Sequence, residues 1–244
     1  MTDAPPPPDA LSPLRGRPPR ALVVGASRGL GLGIVARLLE RGWAVTATVR
    51  RPSAALAALD AGARLRIVGD VDIDDDAAVA GLRGGLDAGD PFDLLLVVAG
   101  VATGAGTPVA HLSRAVAGAV YQTNAVSPIR LAEAMHRHVA PGGLIGFMTS
   151  KLGSVSLNQG GGWGSYRASK AALNTLARSF AGQHAKAEWG VVLMHPGWVR
   201  TDLGGRRATL DVATSARGIV AVLEGRLGAR GCAFLDYRGE TVPW

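Results

Sequence analysis

Two side chains in the sequence, Tyr166 and Lys170, have the types and the spacing of a proton-donor pair. Residues four apart lie on one face of an α-helix, so the phenol and the ammonium group would stand one turn from each other. A phenol titrates near pH 10, and acid catalysis near neutral pH would need a pKa lower by about 3 units, or about 4 kcal/mol. A cation about 4 Å away supplies that energy at an effective dielectric constant near 20. The pair therefore predicts a tyrosine acid activated by a lysine.

A second chemical signal is the glycine-rich segment Gly25-Ala26-Ser27-Arg28-Gly29-Leu30-Gly31, which lies between a predicted strand and a predicted helix. Glycines let the main chain approach a pyrophosphate closely, and the helix that follows offers free N–H groups and a positive dipole end. Because the chain contains 34 glycines, the position of the segment carries more weight than its spacing. An ordinary tight turn is the alternative. The residues predicted to bind a dinucleotide here are Gly25, Ser27, Arg28, Gly29, Leu30 and Gly31.

The residues after the second predicted strand indicate which dinucleotide is bound. NAD enzymes of the doubly wound type have an acid there for the ribose hydroxyls, whereas this chain has Arg50-Arg51 and no acid before Asp60. Together with Arg28 these arginines favour the 2′-phosphate of NADP, through charge-assisted hydrogen bonds of about 1.5–3 kcal/mol each. Solvated arginines are the alternative. Asp70-Val71, after the third strand, would contact the adenine, although the acid could equally cap a helix.

Alternating strands and helices must position these residues. Short β-branched apolar runs alternate with segments of helical periodicity, which predicts a doubly wound Rossmann-type α/β fold with a parallel sheet and helices on both faces. Seven strands are predicted near residues 21–24, 44–49, 64–68, 93–98, 143–149, 189–194 and 232–236. Helices are predicted over 30–41, 122–139, 165–186 and 211–226, and Asp74 is expected to cap another after the third strand.

Length and composition bound the class of protein. The 244 residues, 48% of them hydrophobic, suit a single domain, predicted over residues 21–244. Residues 1–20 are rich in proline, lack the order of a secretory signal and predict a flexible tail. No apolar run approaches the roughly 20 residues of a membrane helix. A single cysteine, Cys232, fits a reducing compartment, so we expect a cytoplasmic protein that does not bind membranes.

The positive net charge of +7 raises the question of nucleic-acid binding. The arginines are scattered along the chain, with no basic stripe interleaved with aromatic residues, and only three residues are lysines. We therefore expect no nucleic-acid partner. Some of the arginines would instead face an anionic cofactor.

The glycine segment and the Tyr166–Lys170 pair together resemble the short-chain dehydrogenase/reductase family, over about residues 20–244. Further motifs follow in the family's order, namely Ala99-Gly100, Asn124, Ser150 and the segment 196–201. Segments 150–154, 166–174, 195–198 and 237–244 are similar to the sniffer-like and C-factor-like carbonyl reductases within that family.

This resemblance implies NADPH-dependent reduction of an aldehyde or ketone to an alcohol. It implies that Tyr166 is the proton donor, that Lys170 lowers its pKa and binds the nicotinamide ribose, and that Ser150 hydrogen-bonds the substrate carbonyl. Asn124 would hold a relay water. Further cofactor positions implied by the family are Ala99, Gly100, Pro196, Gly197, Val199 and Thr201.

The resemblance also implies a homodimer or homotetramer. The helices around Asn124 and Tyr166 would form the interface, and they carry small residues such as Ala125, Ala171 and Ala172. The small-molecule substrate is the least defined partner. Apolar residues near the catalytic motifs predict an open pocket that accepts several carbonyl compounds, and they are Leu152, Trp163, Trp198 and Leu203.

Two other functions are weighed against reduction. The glycine segment also satisfies the G-x-S-x-G pattern of α/β-hydrolases, with Ser27 as nucleophile and Asp70 and His195 as partners, but this leaves Tyr166 and Lys170 unexplained. A protein that senses NADP, or signals, without turnover is the other alternative.

No metal site is predicted from the sequence. The run of acids from Asp70 to Asp76 lacks the glycine and glutamate of a calcium loop. His136 and His138 are two residues apart on a predicted helix and would face different directions.

Overall fold

Seven parallel strands form one sheet at the centre of the fold. The computed structural model describes residues 17–59, 61–86 and 91–244. The strands are β1 (Arg20–Val24), β2 (Ala44–Thr48), β3 (Leu65–Val68), β4 (Phe92–Val97), β5 (Val139–Met148), β6 (Gly190–His195) and β7 (Cys232–Asp236). They are ordered β3-β2-β1-β4-β5-β6-β7, and each neighbouring pair is parallel. The direction of winding reverses between β1 and β4, which confirms the predicted doubly wound, Rossmann-type fold.

The helices of the described residues connect successive strands. They are α1 (Gly29–Glu40), α2 (Ala54–Ala57), α3 (Asp76–Gly84), α4 (Arg114–Tyr121), α5 (Ser127–Met135), α6 (Gly164–Gln183) and α7 (Val212–Gly225). A π-helical turn, Gln122–Val126, joins α4 to α5, and a 3₁₀ turn, His136–His138, follows α5. Within the described ranges, no helix combines the length and the apolar character needed to cross a membrane.

Apolar residues cover both faces of the sheet, because successive side chains of a strand point to opposite sides. Leu22 and Val24 of β1 join the core under α5 and α6, whereas Ala21 and Val23 join the core under α1 and α7. Helices α3 and α5 pack on the same side as α6, and α1 packs against α7 on the other. The sheet is thus buried between two helical layers, as parallel sheets generally are.

Two predicted helix boundaries differ from the structure. The helix predicted over 122–139 starts earlier, at Arg114, and is interrupted by the π-helical turn. Asp75, and not Asp74, caps α3, since its carboxylate accepts hydrogen bonds from the main-chain N–H groups of Ala77 and Ala78. Asp74 instead accepts a hydrogen bond from Thr123 at 2.5 Å.

The predicted tail is only partly described. Residues 1–16 lie outside the described residues. Arg17 donates a hydrogen bond to the carboxylate of Asp93, 2.9 Å away, at the start of β4. The main-chain N–H of Arg20 donates to the same carboxylate, so this buried acid fixes the entry of the chain into β1.

Candidate active site

A cleft of about 710 Å³ opens at the carboxyl ends of the strands, where the direction of winding reverses. In open parallel sheets this is the position at which ligands bind. Thr48 at the end of β2, Ser150 after β5 and His195 at the end of β6 all line it. The Oγ1 atom of Thr48 is buried and has no hydrogen-bond partner among the described residues. The cleft therefore has polar groups left to receive a ligand.

The glycine segment forms the turn from β1 into α1 along one wall of the cleft. Gly25 has a φ of +90°, and a Cβ atom on it would lie 2.7 Å from the main-chain nitrogen of Ala99. A Cβ on Gly31 would overlap the main-chain oxygen of Gly25. The first turn of α1 has no side-chain cap and no acidic residue. No side chain of that turn therefore neutralises the partial positive charge of the N–H groups at the cleft. This turn is the cradle that a pyrophosphate requires, and side chains would fill it.

Two of the three predicted arginines line the cleft. Arg28 forms an ion pair with Asp202 at 2.7 Å, and both side chains are 76% exposed. Arg50 lies 3.5 Å from Asp72. Arg51 is exposed and is not part of the lining. Because exposed ion pairs are weak, the guanidinium groups of Arg28 and Arg50 can exchange their partners for a phosphate.

Of the predicted pair Asp70-Val71, only Val71 lines the cleft. Asp70 has a left-handed main chain with φ of 57°, is exposed, and lies outside the cleft lining. Val71 is buried and lines the cleft together with Asp72. Asp70, in its left-handed conformation, turns the chain after β3. The acid that lines the cleft is therefore Asp72, two residues later.

Tyr166 and Lys170 lie on one face of α6 and both line the cleft, as their spacing predicts. Lys170 is buried, and its ammonium nitrogen donates to the main-chain oxygen of Met148 at 2.9 Å. The same nitrogen lies 5.9 Å from the centre of the Tyr166 ring.

Burial shifts the pKa values of both members of the pair. Burial raises the pKa of Tyr166 to about 12, and burial also lowers the pKa of Lys170 to about 8. Desolvation is the dominant cause of both shifts. At neutral pH the phenol is fully protonated and remains able to donate its proton.

Ser150 follows β5 and is 8% exposed. Its Oγ accepts a hydrogen bond from the N–H of Leu152 at 3.1 Å and so caps the 3₁₀ turn Lys151–Gly153. Accepting this bond uses an oxygen lone pair and leaves the hydroxyl hydrogen for a ligand in the cleft.

Asn124 lies in the π-helical turn and is fully buried behind the cleft, outside its lining. Its side-chain nitrogen donates to the main-chain oxygen of Val101 at 2.8 Å and to Ser169 Oγ at 3.0 Å, and its oxygen accepts from the N–H of Val101. Both amide hydrogens are therefore used inside the protein. The side chain ties the segment after β4 to α6, and only oxygen lone pairs remain for a relay water.

Asn174, which the sequence analysis did not identify, connects the Ser150 turn to α6. Thr149 Oγ1 donates to Asn174 Oδ1 at 2.7 Å, and Asn174 Nδ2 donates to the main-chain oxygen of Gly153 at 3.3 Å. Thr149 precedes Ser150 and Gly153 follows it, so the two bonds hold the chain on both sides of Ser150. Asn174 lies four residues after Lys170 on the same helical face, and this spacing was the available signal.

The segment after β6 closes the far side of the cleft. Of its predicted residues, Pro196, Gly197, Val199 and Thr201 all line the cleft. Val199 forms a bridge with Leu210, which ties together the two ends of the loop 199–210. Thr201 Oγ1 accepts from the N–H of Gly204 at 3.1 Å and is held within that loop. Arg207 also lines the cleft and was not identified from the sequence.

Two tryptophans stand at the mouth of the cleft. Trp163 meets the Tyr166 ring edge-on, with 5.8 Å between ring centres, and is 41% exposed. Trp198 is 50% exposed, and its indole N–H donates to the main-chain oxygen of Gly204. Leu152 and Leu203 line the cleft beside them, so all four predicted apolar residues are brought together.

Most of the predicted cofactor residues share the cleft. Besides those already described, the lining includes Ser27, Gly29, Leu30, Ala99 and Gly100. His195 also lines it, but burial, followed by the nearby Lys151, lowers the pKa of His195 to about 4. This histidine is uncharged at neutral pH, which suits a packed position at the end of β6.

Comparison with known proteins places this cleft in a family. The model of the short chain dehydrogenase family matches residues 19–210. A short-chain dehydrogenase/reductase from Burkholderia multivorans, solved with bound NADP, is 42% identical, with a TM-score of 0.89 over 93% of this chain and 100% of that one. The carbonyl reductase Sniffer of D. melanogaster is 28% identical over 93% of this chain and 100% of its own, with a TM-score of 0.82.

A third relative is named for signalling. The protein C-signal of Myxococcus xanthus is 38% identical over 156 residues, which are 63% of this chain and 93% of that protein. These matches confirm the resemblance predicted from the motifs. The glycine cradle, the Tyr166–Lys170 face and the family match together show that this chain belongs to the short-chain dehydrogenase family of NAD(P)-dependent oxidoreductases.

Proposed function

We propose that the protein reduces an aldehyde or ketone to an alcohol with NADPH. The observation that carries this proposal is the buried Tyr166 phenol, which lines the same cleft as Ser150 and is protonated at neutral pH. A reduction needs a proton at the carbonyl oxygen, and a protonated phenol supplies one. The alternative of a Ser27 hydrolase has no support from the family match, which covers the glycine segment as part of a dehydrogenase.

When bound, the reduced coenzyme supplies a hydride to the carbonyl carbon. Tyr166 donates its proton to the carbonyl oxygen, so the carbonyl gains one hydride and one proton and leaves as an alcohol. Ser150 donates a hydrogen bond to the same oxygen and stabilises the negative charge that develops there. Proton transfer from the phenol is favourable despite the raised pKa, because an alkoxide is a stronger base than a phenolate.

Lys170 has a binding role in this proposal. Its ammonium group has three donors, and Met148 uses one of them. The other two are available to ribose hydroxyls and to the phenolate that remains after proton transfer. Asn124 supports this region from behind by holding Val101 and Ser169.

The choice of NADPH rests on the positive charge around the glycine turn. Arg28 and Arg50 line the cleft, and each already binds a carboxylate, which shows that its guanidinium group can accept an anion. The 2′-phosphate carries more charge than either carboxylate and would compete for both. We also propose that Val71 contacts the adenine and that the turn from Gly25 to Gly31 binds the pyrophosphate.

The substrate side of the cleft favours apolar or aromatic carbonyl compounds. Trp163 has a left-handed main chain with φ of 55°, a conformation that costs a bulky residue about 1–2 kcal/mol. Arg167 holds the preceding segment by donating to the main-chain oxygens of Gly161 and Gly162. The Trp163 indole lies edge-on to the Tyr166 ring and would stack on a substrate ring there. The open mouth leads us to propose that several carbonyl compounds are accepted.

Assembly and location are further proposals. Short-chain dehydrogenases commonly form oligomers, and we propose a homodimer or homotetramer through α5 and α6. Ala125 is fully buried in the core and cannot contribute, whereas Ala171 and Ala172 are partly exposed. Light scattering would give a multiple of 25.0 kDa, and a 25.0 kDa particle would refute the assembly. A cytoplasmic location, proposed from the single cysteine, is tested by cell fractionation.

The similarity to C-signal favours a second candidate function, a nucleotide-binding signalling protein with little turnover. One experiment separates the two. The purified protein is assayed with NADPH and with NADH against aromatic and aliphatic aldehydes, ketones and quinones, while coenzyme binding is measured in parallel. Turnover of several compounds with NADPH supports the reductase. Tight NADPH binding without turnover of any compound would favour the signalling protein.

A further inference from the structure

A cluster of possible metal ligands lies away from the cleft, where α5 and α6 end. Glu133 belongs to the last turns of α5, His136 follows that helix, and His184 follows α6. The carboxylate oxygens of Glu133 lie 3.2 and 3.3 Å from His184 Nε2. The imidazole centres of His136 and His184 are 4.5 Å apart. One ligand atom from each of the three residues lies within 4.8 Å of the other two.

This cluster is separate from the active site. Tyr166 is in the first turn of α6, and His184 comes 18 residues later, just after its end. At 1.5 Å per residue the two are about 27 Å apart along the helix. His136 and His184 stand near the amino-terminal ends of β5 and β6, whereas the cleft is at the carboxyl ends. Ligand binding at the cluster can therefore be measured independently of the chemistry at Tyr166.

The donor set is that of a transition-metal site. Two imidazoles and one carboxylate are ligands of tetrahedral zinc sites, in which water takes the fourth position. Ligand atoms about 2.1 Å from one ion lie about 3.4 Å apart in a tetrahedron, so movements of about 1 Å would bring the cluster to that geometry. Glu133 is exposed, and its carboxylate already lies within hydrogen-bond distance of His184. Glu133 and His136 are three residues apart and share a face of the chain.

The Glu133–His184 hydrogen bond alone does not account for the position of His136. Among the described residues, no hydrogen bond to the His136 side chain is found, although its ring stands beside that of His184. Phe180 and Trp189 stack on each other and contact both imidazoles, which restricts how the rings can turn.

We propose that Glu133, His136 and His184 bind one divalent transition-metal ion, with zinc the best match, and that the ion links the ends of α5 and α6. Imidazole ligands favour zinc, nickel and copper over magnesium and calcium, which prefer oxygen ligands only. The spacing of His136 and His138 gave no sign of this site, because its second histidine comes from another helix.

Isothermal titration calorimetry of the full-length, tag-free protein with ZnCl₂ tests the proposal, after EDTA treatment and removal of the chelator. We expect one zinc ion per chain, and no heat of binding with MgCl₂. His136→Gln and His184→Gln should each weaken zinc binding by tenfold or more. His111→Gln removes an exposed histidine elsewhere and serves as the matched control, and Cys232→Ser tests the thiol. Both controls should bind zinc as the parent protein does.

Tryptophan fluorescence reports whether the metal ion binds at this cluster. Trp189 lies 5.5 Å from His184 and 5.9 Å from His136, so Cu²⁺ bound at the cluster should quench its emission. Trp189→Phe should remove most of this quenching, while Trp43→Phe should leave it. Zinc should also raise the melting temperature of the parent protein but not of His184→Gln.

Three results would overturn the proposal. They are zinc binding that both histidine variants retain, half an ion per chain, which would mean a site shared between copies, and copper quenching that survives Trp189→Phe. Circular dichroism and NADPH binding of each variant confirm that a loss of zinc binding does not reflect unfolding.

Discussion

The ammonium group of Lys170 donates to the main-chain oxygen of Met148 at 2.9 Å and stands 5.9 Å from the centre of the Tyr166 ring. Lysine and tyrosine thus share a helical face, with the ammonium nitrogen over the phenol ring near the distance limit of a cation–π contact. Met148 is the last residue of β5, so the lysine ties α6 to the strand that leads into Ser150. Helix α6 is positioned by a charge-assisted bond to the sheet, and the phenol keeps its proton through burial.

Tyr166→Phe should abolish most turnover while preserving the cofactor site. The substitution keeps the ring and its packing but removes the donated proton, and general acid catalysis contributes about 10²–10⁴ in rate. We expect kcat to fall by about that factor and the Kd for NADPH to change several-fold at most. Tyr121→Phe, at an exposed tyrosine, is the control. Near-normal reduction by Tyr166→Phe would show that the proton comes from another group.

Arg50→Asp should shift the coenzyme preference toward NADH. The loss of a charge-assisted bond, together with a new negative charge near the 2′-phosphate, should weaken NADPH binding by about 10- to 150-fold. Arg51→Asp makes the same change in charge outside the cleft and should alter the Kd for NADPH by less than about threefold, because exposed charges are screened. Comparing the Kd values for both coenzymes decides the question. Equal effects of the two substitutions would mean that only the overall charge matters.

Asn174→Ala should loosen the turn that carries Ser150. It leaves the hydroxyl of Thr149 and the carbonyl of Gly153 without their partner, at a cost of about 1–3 kcal/mol each when buried. We expect a lower melting temperature and a kcat lower by about tenfold, with the Kd for NADPH nearly unchanged. Ser179→Ala, at an exposed position of the same helix, is the control. An unchanged kcat in a destabilised Asn174→Ala protein would limit this residue to folding.

His195 should make the protein less stable in mild acid. Its folded-state pKa of about 4 is below the unfolded value of 6.5, so the unfolded chain binds the extra proton between these pH values. The free energy of unfolding should therefore decrease as the pH falls from 6.5 toward 4, by about 3 kcal/mol from this group. Urea denaturation at several pH values measures this slope, and His195→Gln should flatten it. A variant with the parent slope would assign the acid sensitivity to other groups.

The sequence predicts those parts of the molecule that depend on local pattern. The parallel, doubly wound sheet follows from the alternation of strands and helices, and the turn from Gly25 to Gly31 follows from the need for a close main-chain approach. Tyr166 and Lys170 meet the cleft because helical spacing fixes their common face. In these cases the position of each residue is determined by its neighbours in the sequence.

The parts that the sequence did not predict depend on tertiary contacts. Asp75 replaces Asp74 as the cap of α3 because Thr123, distant in sequence, binds Asp74. Burial raises the pKa of Tyr166 to about 12, and this effect depends on packing rather than on the spacing of residues in the sequence. The cluster at Glu133 and His184 joins residues 51 positions apart, which no local pattern connects.

The ion pair between Arg28 and Asp202 connects the glycine turn to the loop 199–210 across the entrance of the cleft. Both partners are 76% exposed, and such a pair contributes at most about 1 kcal/mol. The Val199–Leu210 bridge anchors the ends of the loop, so release of Asp202 frees only its middle. An arriving phosphate could therefore replace Asp202 as the partner of Arg28 at little energetic cost, while both ends of the loop stay anchored.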